Sequence, residues 1–386
     1  MNHVKASGWV GVLATISVFG CTSSPDRDAA TDASADAAPD GPADDGVPDA
    51  PTADVRRDVV MCPPALGTPA DFVPGPRAMH AMDSVLRMNH LQAKATHNSY
   101  HVRPTVDVTE WAYTHVPLAQ QFDTQGVRGV ELDLNWNSDC QRLEVYHIAL
   151  LDPNTTCRVF TDCLAQIRNW SAAHPGHHPL FIHIEPKFNA DPATDELRMM
   201  AVEREILSVF SRTWIITPDE VRGSSATLAQ AIMANGWPTL GQSRGRVLFY
   251  VDRTDGLRDR YTHGNRDLDG RLLFVDSRLG DPFAGVMVLN NPIGDSAAIR
   301  AALGAGFIVR TRADSNPAMA FANDRAQLDA ALASGAQIVS TDFPAPVTGV
   351  PYSVTIPAGT PSRCSSVTAP MSCTAIAIED PALLAR

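Results

Sequence analysis

The chain has 386 residues, 44% of them hydrophobic and 6% aromatic, with 31 Lys and Arg against 43 Asp and Glu. That length is too great for one small domain and ample for a single large core. A net charge of −12 with no basic patch excludes the electrostatic footprint of a nucleic-acid binder.

Behind Lys5, an apolar run extends from Trp9 to Gly20. It has the length of a signal-peptide core and is too short to span a membrane as a helix. The run ends Val18-Phe19-Gly20-Cys21, a small residue before a cysteine, as in a lipoprotein signal. Residues 1–20 are therefore expected to be a signal peptide and Cys21 a lipid anchor, with plain secretion as the alternative. Either way the protein is expected at the cell envelope, at the cell surface or outside the cell. Residues 21–60 are almost wholly Asp, Ala, Pro, Ser, Thr and Gly. Ten Asp against three Arg give the stretch a net −7. It has too little apolar surface to offset chain entropy and reads as a disordered, self-repelling tether. Residues 61–386 are expected to form one folded domain.

In chain order, that body holds nine short apolar runs bounded by turn residues: Leu91–Thr96, Gly129–Leu134, Leu143–His147, Pro179–Glu185, Arg246–Val251, Leu272–Asp276, Val286–Leu289, Phe307–Thr311 and Ala336–Thr341. Their nearly continuous apolar character suits strands buried on both faces. Helical patterns lie between many of them. One is capped by Thr161 or Asp162 and runs to about Ala173. Others cover Thr194–Phe210, Leu228–Ala234, Ser296–Leu303 and Arg325–Ala333, and Gly176, Gly236, Gly304 and Gly335 stand where helices end. Strand–helix alternation on this scale predicts an α/β fold with a parallel sheet, and eight or nine strands predict a single-domain (β/α)8 TIM-type barrel, irregular in places. The polar loop Arg253–Gly270 is read either as overhanging the site or as plain surface.

Six cysteines remain besides Cys21, an even number that points to disulfides in an exported chain. Cys157–Cys163 and Cys364–Cys373 are the easy local pairings; Cys62 and Cys140 are the other two, and fifteen connectivities are open. Only three lysines occur in the whole chain, and two of them, Lys94 and Lys187, fall near strand ends that carry chemistry.

Those ends define a candidate site. Glu131 and Asp133 are two apart on a strand and share a face, while Leu132 and Leu134 take the other. Two carboxylates facing a barrel interior are costly without a cation. His183, Glu185 and Lys187 share a face on a second strand, with His183 read as a packed core histidine. His97-Asn98 follows the first strand and His147 ends another. Asn98, Glu131, Asp133 and Glu185 offer oxygen donors, which select a hard cation: calcium first, magnesium as runner-up. Three carboxylates and one dication, joined by a phosphodiester, call for further positive charge near the phosphate. Lys187, Arg310 and Arg312 are the candidates, the last two on one face of their strand.

The constellation resembles the phosphatidylinositol-specific phospholipase C superfamily, and most of all its single-domain, calcium-dependent bacterial branch. There a His-Asn pair follows the first strand, Glu-x-Asp ends the second, a His ends the third and a Glu ends the fourth. Here these are His97-Asn98, Glu131 and Asp133, His147, and Glu185. The segment Gly335–Asp342 is similar to that branch's final strand, and the resemblance spans roughly Asn89 to Pro344. It implies attack of the inositol 2-hydroxyl on phosphorus, releasing diacylglycerol and a cyclic inositol phosphate. Calcium held by Asn98, Glu131, Asp133 and Glu185 would acidify that hydroxyl and offset the developing charge. A carboxylate (Glu131 or Glu185) or a histidine would take its proton. His147 would protonate the leaving glycerol oxygen, and His97 would stabilise the pentacoordinate phosphorus. The partners implied are phospholipid substrates at a membrane surface and no nucleic acid, with the protein a monomer. The alternatives are a glycerophosphodiester phosphodiesterase, which normally has His-Arg where this chain has His97-Asn98, another lipid phosphodiesterase, and a surface lipoprotein that binds head groups without turnover.

Overall fold

The computed structural model describes Cys62, Asp71, residues 79–188 and residues 192–385. The chain divides into two units, Met1–Asp58 and Val59–Arg386, and every described residue belongs to the second. The expected signal peptide, Cys21 and the acidic tether lie outside the described residues. No helix among the described residues is long and apolar enough to cross a membrane.

Among the described residues ten strands are formed: β1 (Leu91–Thr96), β2 (Val127–Asn137), β3 (Arg142–Val145), β4 (Leu180–Pro186), β5 (Val247–Val251), β6 (Phe274–Val275), β7 (Val286–Val288), β8 (Ile308–Arg312), β9 (Ile338–Thr341) and β10 (Arg363–Cys364). The helices are α1 (Leu118–Gln125), α2 (Phe160–Ala173), α3 (Pro192–Val209), α4 (Pro218–Arg222), α5 (Leu228–Asn235), α6 (Leu240–Ser243), α7 (Gly256–Tyr261), α8 (Ser296–Gly304), α9 (Pro317–Phe321), α10 (Ala326–Ser334) and α11 (Ala375–Ile378).

Eight strands are parallel neighbours in the order β6-β5-β4-β2-β1-β9-β8-β7. A single parallel bridge from Asp276 to Val286, with Ser277 N–H donating to Val286 O at 3.0 Å, joins the two ends. The result is a TIM-type α/β barrel, nearly closed and loosest between β6 and β7. Alternation explains its walls. Leu132, Leu134, Ile182 and Ile184 are fully buried in the apolar layer, which leaves Glu131, Asp133, His183 and Glu185 on the opposite face. At the N-terminal end β10 pairs antiparallel with β1.

The run Leu143–His147 is strand, but it is not a barrel stave. β3 pairs antiparallel with β2, Leu134 opposite Val145. β2 turns at Ser138–Gln141 and returns as β3, so His147 follows two residues after the pairing of Val145 with Leu134. A hairpin strand buried on both faces carries the same apolar signal as a barrel strand. α2 also begins earlier than its expected Thr161 or Asp162 cap. Asp162 and Cys163 N–H already donate to Val159 O, so the helix starts at Phe160 and Asp162 sits in its first turn. Gly236 and Gly335 do end helices, with φ of +70° and +78°; the cap of α2 is His174, and Gly304 is the last residue of α8. Loop Arg253–Gly270 contains α7, tied to α3 by Arg260–Asp195 at 3.3 Å and by Tyr261 to Glu203. Among the described residues three disulfides form: Cys157–Cys163 and Cys364–Cys373 locally, and Cys62–Cys140, which fastens Cys62 to the hairpin turn.

Candidate metal and acid–base site

β1 ends in a sharp turn at Asn98, whose φ of +42° puts it in the left-handed region that Asn tolerates better than most residues. Hydrogen bonds fix the turn between its neighbours. His97 N–H donates to Thr341 O at 3.1 Å, Ser99 N–H to Glu131 O at 3.0 Å, and Glu131 N–H to Ser99 Oγ at 2.8 Å. His97 and Asn98 are thereby seated at the mouth between β9 and β2.

Next door, β2 and β4 run in register, with Glu131 opposite His183 and Asp133 opposite Glu185. One oxygen each from Glu131, Asp133 and Glu185 lies within 4.8 Å of the others. Asn98 Oδ1 and both Asp133 carboxylate oxygens are buried with no well-aligned hydrogen-bond partner. Buried polar groups are normally satisfied, so an Asp133 carboxylate that has only the Lys187 ion pair, set beside two more carboxylates, fits a hard cation. Burial, then the Glu185 charge, push the Asp133 pKa well above the ordinary carboxylate range, with Lys187 opposing. Glu131 goes the other way: burial would raise its pKa, but Arg310, His183 and His97 hold it well below the usual value.

Of the three cations named from sequence, Lys187 and Arg310 reach the cluster, while Arg312 pairs with Asp342, the carboxylate beside His97. Lys187 Nζ is 3.0 Å from Asp133 Oδ2 and also pairs with Glu185. Arg310 donates to Glu131 at 2.6 Å and to Ser340 at 3.2 Å, and it also bonds Asn290. Arg312 donates to Asp314 O at 2.7 Å and lies 3.3 Å from Asp342 Oδ2. Lys94 is elsewhere, buried and donating to the carbonyls of Pro344 and Val354.

Each histidine has its own carboxylate. His97 Nδ1 is 2.7 Å from Asp342 Oδ1, and its Nε2 lies 3.9 Å from Glu131 Oε1. Burial and Arg312 lower its pKa despite Asp342 and Glu131. His147 Nδ1 is 2.8 Å from Asp152 Oδ2, and Asp152 also meets His101 Nε2 at 2.9 Å. His101 stacks on Tyr113 with centroids 4.3 Å apart, and the Tyr113 hydroxyl is 3.5 Å from His97 Nδ1. A continuous chain of contacts thus runs from one histidine to the other.

Sequence reasoning did not assign Asp342, Asp152, His101 or Tyr113 to the site. Asp342 lay inside the quoted final-strand segment, and Asp152 stood five residues past His147, but neither has a local pattern that pairs it with a histidine. His183 is buried as expected of a core histidine, stacked on Tyr250. It is also 3.4 Å from Glu131 and 3.2 Å from Asp252, and although burial opposes them those carboxylates raise its pKa to about 9.

Residues 134–366 match the model of the family described as phosphoinositide phospholipase C, Ca2+-dependent, and the chain belongs to that family. The match contains His147 and Glu185; His97, Asn98, Glu131 and Asp133 precede it. A calcium-dependent phosphoinositol-specific phospholipase C of a Gram-negative Pseudomonas sp. superposes with a TM-score of 0.51 at 18% identity, over 76% of this chain and 100% of that one. A Ca2+-dependent phosphatidylinositol-specific phospholipase C from Streptomyces antibioticus gives 0.48 at 19%, over 67% and 96%. A glycerophosphodiester phosphodiesterase from Parabacteroides distasonis gives 0.36 at 10%, over 66% and 93%. At such identities the Pseudomonas likeness is one of fold. No curated sequence matches the chain significantly.

Proposed function

We propose that this protein cleaves phosphatidylinositol-type lipids by attack of the inositol 2-hydroxyl on phosphorus, releasing diacylglycerol and a cyclic inositol phosphate. The observation that carries the reading is one convergence: three carboxylates within 4.8 Å, with His97 3.9 Å from one of them and linked through Tyr113, His101 and Asp152 to His147.

Asn98, Glu131, Asp133 and Glu185 are the residues that would hold calcium, which when bound supplies positive charge beside the reacting oxygens. The protein groups divide the proton work. A hydrogen bond to Asp342 favours the His97 tautomer with its proton on Nδ1, so the neutral ring presents Nε2 as a proton acceptor for the 2-hydroxyl. Once protonated, the same Nε2–H can donate to a phosphoryl oxygen, which is the stabilising role expected from sequence. Glu131, held as an anion, keeps the proton near His97. His147, oriented through Nδ1 by Asp152, offers Nε2 to the glycerol oxygen as general acid. Arg310 and Arg312 fix Glu131 and Asp342, and Lys187 stands against Asp133 and Glu185 as a further cation beside the donors.

Phosphorus NMR on phosphatidylinositol vesicles with calcium tests the reading. A cyclic phosphate resonance is expected first. Phosphatidic acid and free inositol with no cyclic intermediate would move the chain to a glycerophosphodiester-type cleavage, and no product would leave a head-group binder.

A further inference from the structure

β3 stands outside the ring of parallel strands and joins it through antiparallel pairing with β2. The register of the barrel therefore does not by itself aim the His147 ring, which follows β3. A second imidazole lies behind it. Asp152, 2.8 Å from His147 Nδ1, is also met by His101, whose Nε2 is 3.0 Å from Oδ1 and 2.9 Å from Oδ2. The His101 and Asp152 side chains are fully buried, whereas that of His147 is 21% exposed.

His101 is itself held firmly. Its ring stacks on Tyr113 with centroids 4.3 Å apart, and its Nδ1 is 3.1 Å from Tyr113 O. A backbone carbonyl and a carboxylate only accept, so the ring donates on both sides. The backbone is fixed as well. His101 N–H donates to Asn98 O at 2.8 Å, His115 N–H to His101 O at 2.9 Å, and Thr156 N–H to Tyr100 O at 2.7 Å. His101 thus belongs to the turn that presents His97 and Asn98, and the far end of its ring grips the carboxylate behind His147. An aspartate side chain has several rotamers open to it; a buried donor that bridges both oxygens selects one.

We propose that His101 is a positioning residue for the general acid: by holding both oxygens of Asp152 it registers His147, carried by the hairpin, against the turn that carries His97 and Asn98. The inference rests on the proposed phosphodiester cleavage, in which base and acid act on opposite sides of one phosphorus and their separation has to be fixed.

The test compares two substrates of the full-length chain with calcium. In phosphatidylinositol, held in detergent micelles, the phosphorus–oxygen bond to glycerol breaks and that oxygen takes the proton from His147 Nε2. In the nitrophenyl phosphodiester of inositol the same hydroxyl displaces nitrophenolate, which leaves as a stable anion and needs no proton. Both rates come from one preparation, so their ratio does not depend on the fraction of chains that fold. His101→Asn, too short to reach Asp152, should lower the ratio of phosphatidylinositol to nitrophenyl turnover at least about tenfold, and His101→Gln, which still offers a donor at the Nε2 position, about threefold. The loss should fall on kcat, with KM held within about twofold. In a His147→Ala background neither substitution should lower phosphatidylinositol turnover further, because orienting group and acid act as a unit. A ratio unchanged in both variants overturns the proposal, as does an undiminished further loss in the His147→Ala background. If His101→Asn abolishes both activities, the His101→Gln ratio decides alone. A parent that turns over neither substrate ends the phosphodiester reading and this inference with it; a parent active on both, with the ratio unchanged in the variants, ends this inference only.

Discussion

At the scale of single residues, His147 has one ring nitrogen committed to Asp152 at 2.8 Å and the other available for proton transfer. Positioned proton transfer contributes about 10²–10⁴-fold to rate. His147→Ala should therefore lose at least about a hundredfold in phosphatidylinositol turnover with calcium binding by calorimetry unchanged, and a wild-type rate would remove its acid role. Asp152→Asn, which spares the ring and disturbs its orientation, should lose less. Lys187 makes a different forecast. Its ammonium stands between Asp133 and Glu185 at the place where the donors converge. Lys187→Met leaves those carboxylates facing each other, so in EGTA its melting temperature should drop below that of the parent. Calcium should then raise it by more than it raises the parent's. Equal calcium shifts would mean that the lysine and the ion do not share the cluster. What sequence supplied at this scale were residues with local signatures, the Glu-x-Asp pair and the strand-end histidines. Asp152 and Asp342 were not assigned, because their roles arise from contacts that only the folded chain makes.

The element scale shows why the strands were readable and their roles less so. β1, β4, β8 and β9 fall within a residue or two of their apolar runs because burial on both faces leaves a continuous hydrophobic signature. That signature does not record direction. β3 is antiparallel, a hairpin partner of β2, and only the turn residues between Asn137 and Arg142 hinted at it. The same geometry constrains β2 where it passes β1. A Cβ built on Gly129 would lie 2.8 Å from Ala95 Cβ, its partner across the ladder, and 3.5 Å from Phe181 O. Overpacking of this kind costs about 1–3 kcal/mol. Gly129→Ala should lower stability by that amount in urea unfolding; an unchanged midpoint would mean that β1 and β2 are not held this close.

Across the whole molecule, a second buried ionic cluster, at the end of the barrel opposite the site, bears on acid stability. Glu379 is buried against Arg128 and accepts from His178 N–H at 3.1 Å. Burial would raise its pKa, but Arg128 and His178 hold it down at about 2, below the usual 4.5. Burial lowers His177 to about 3 and His178 to about 4, from 6.5. All three are depressed, so all three contribute stability at neutral pH that acid removes. The histidine contribution fades as pH falls from 6.5 towards 3–4, and the Glu379 contribution as pH falls from 4.5 towards 2. Melting temperature should thus decline steadily below pH 6.5, and His178→Gln should flatten the decline between pH 6.5 and 4; an identical slope in the variant would place the acid-labile group elsewhere. The central claim concerns the other end, where amide and acidic oxygens from β2, β4 and the turn after β1 converge on one divalent ion. Its most direct test is turnover of phosphatidylinositol vesicles by the intact chain in excess EGTA, followed by return of calcium. Activity should vanish with the chelator and reappear with the ion, and turnover that continues undiminished in EGTA would contradict it.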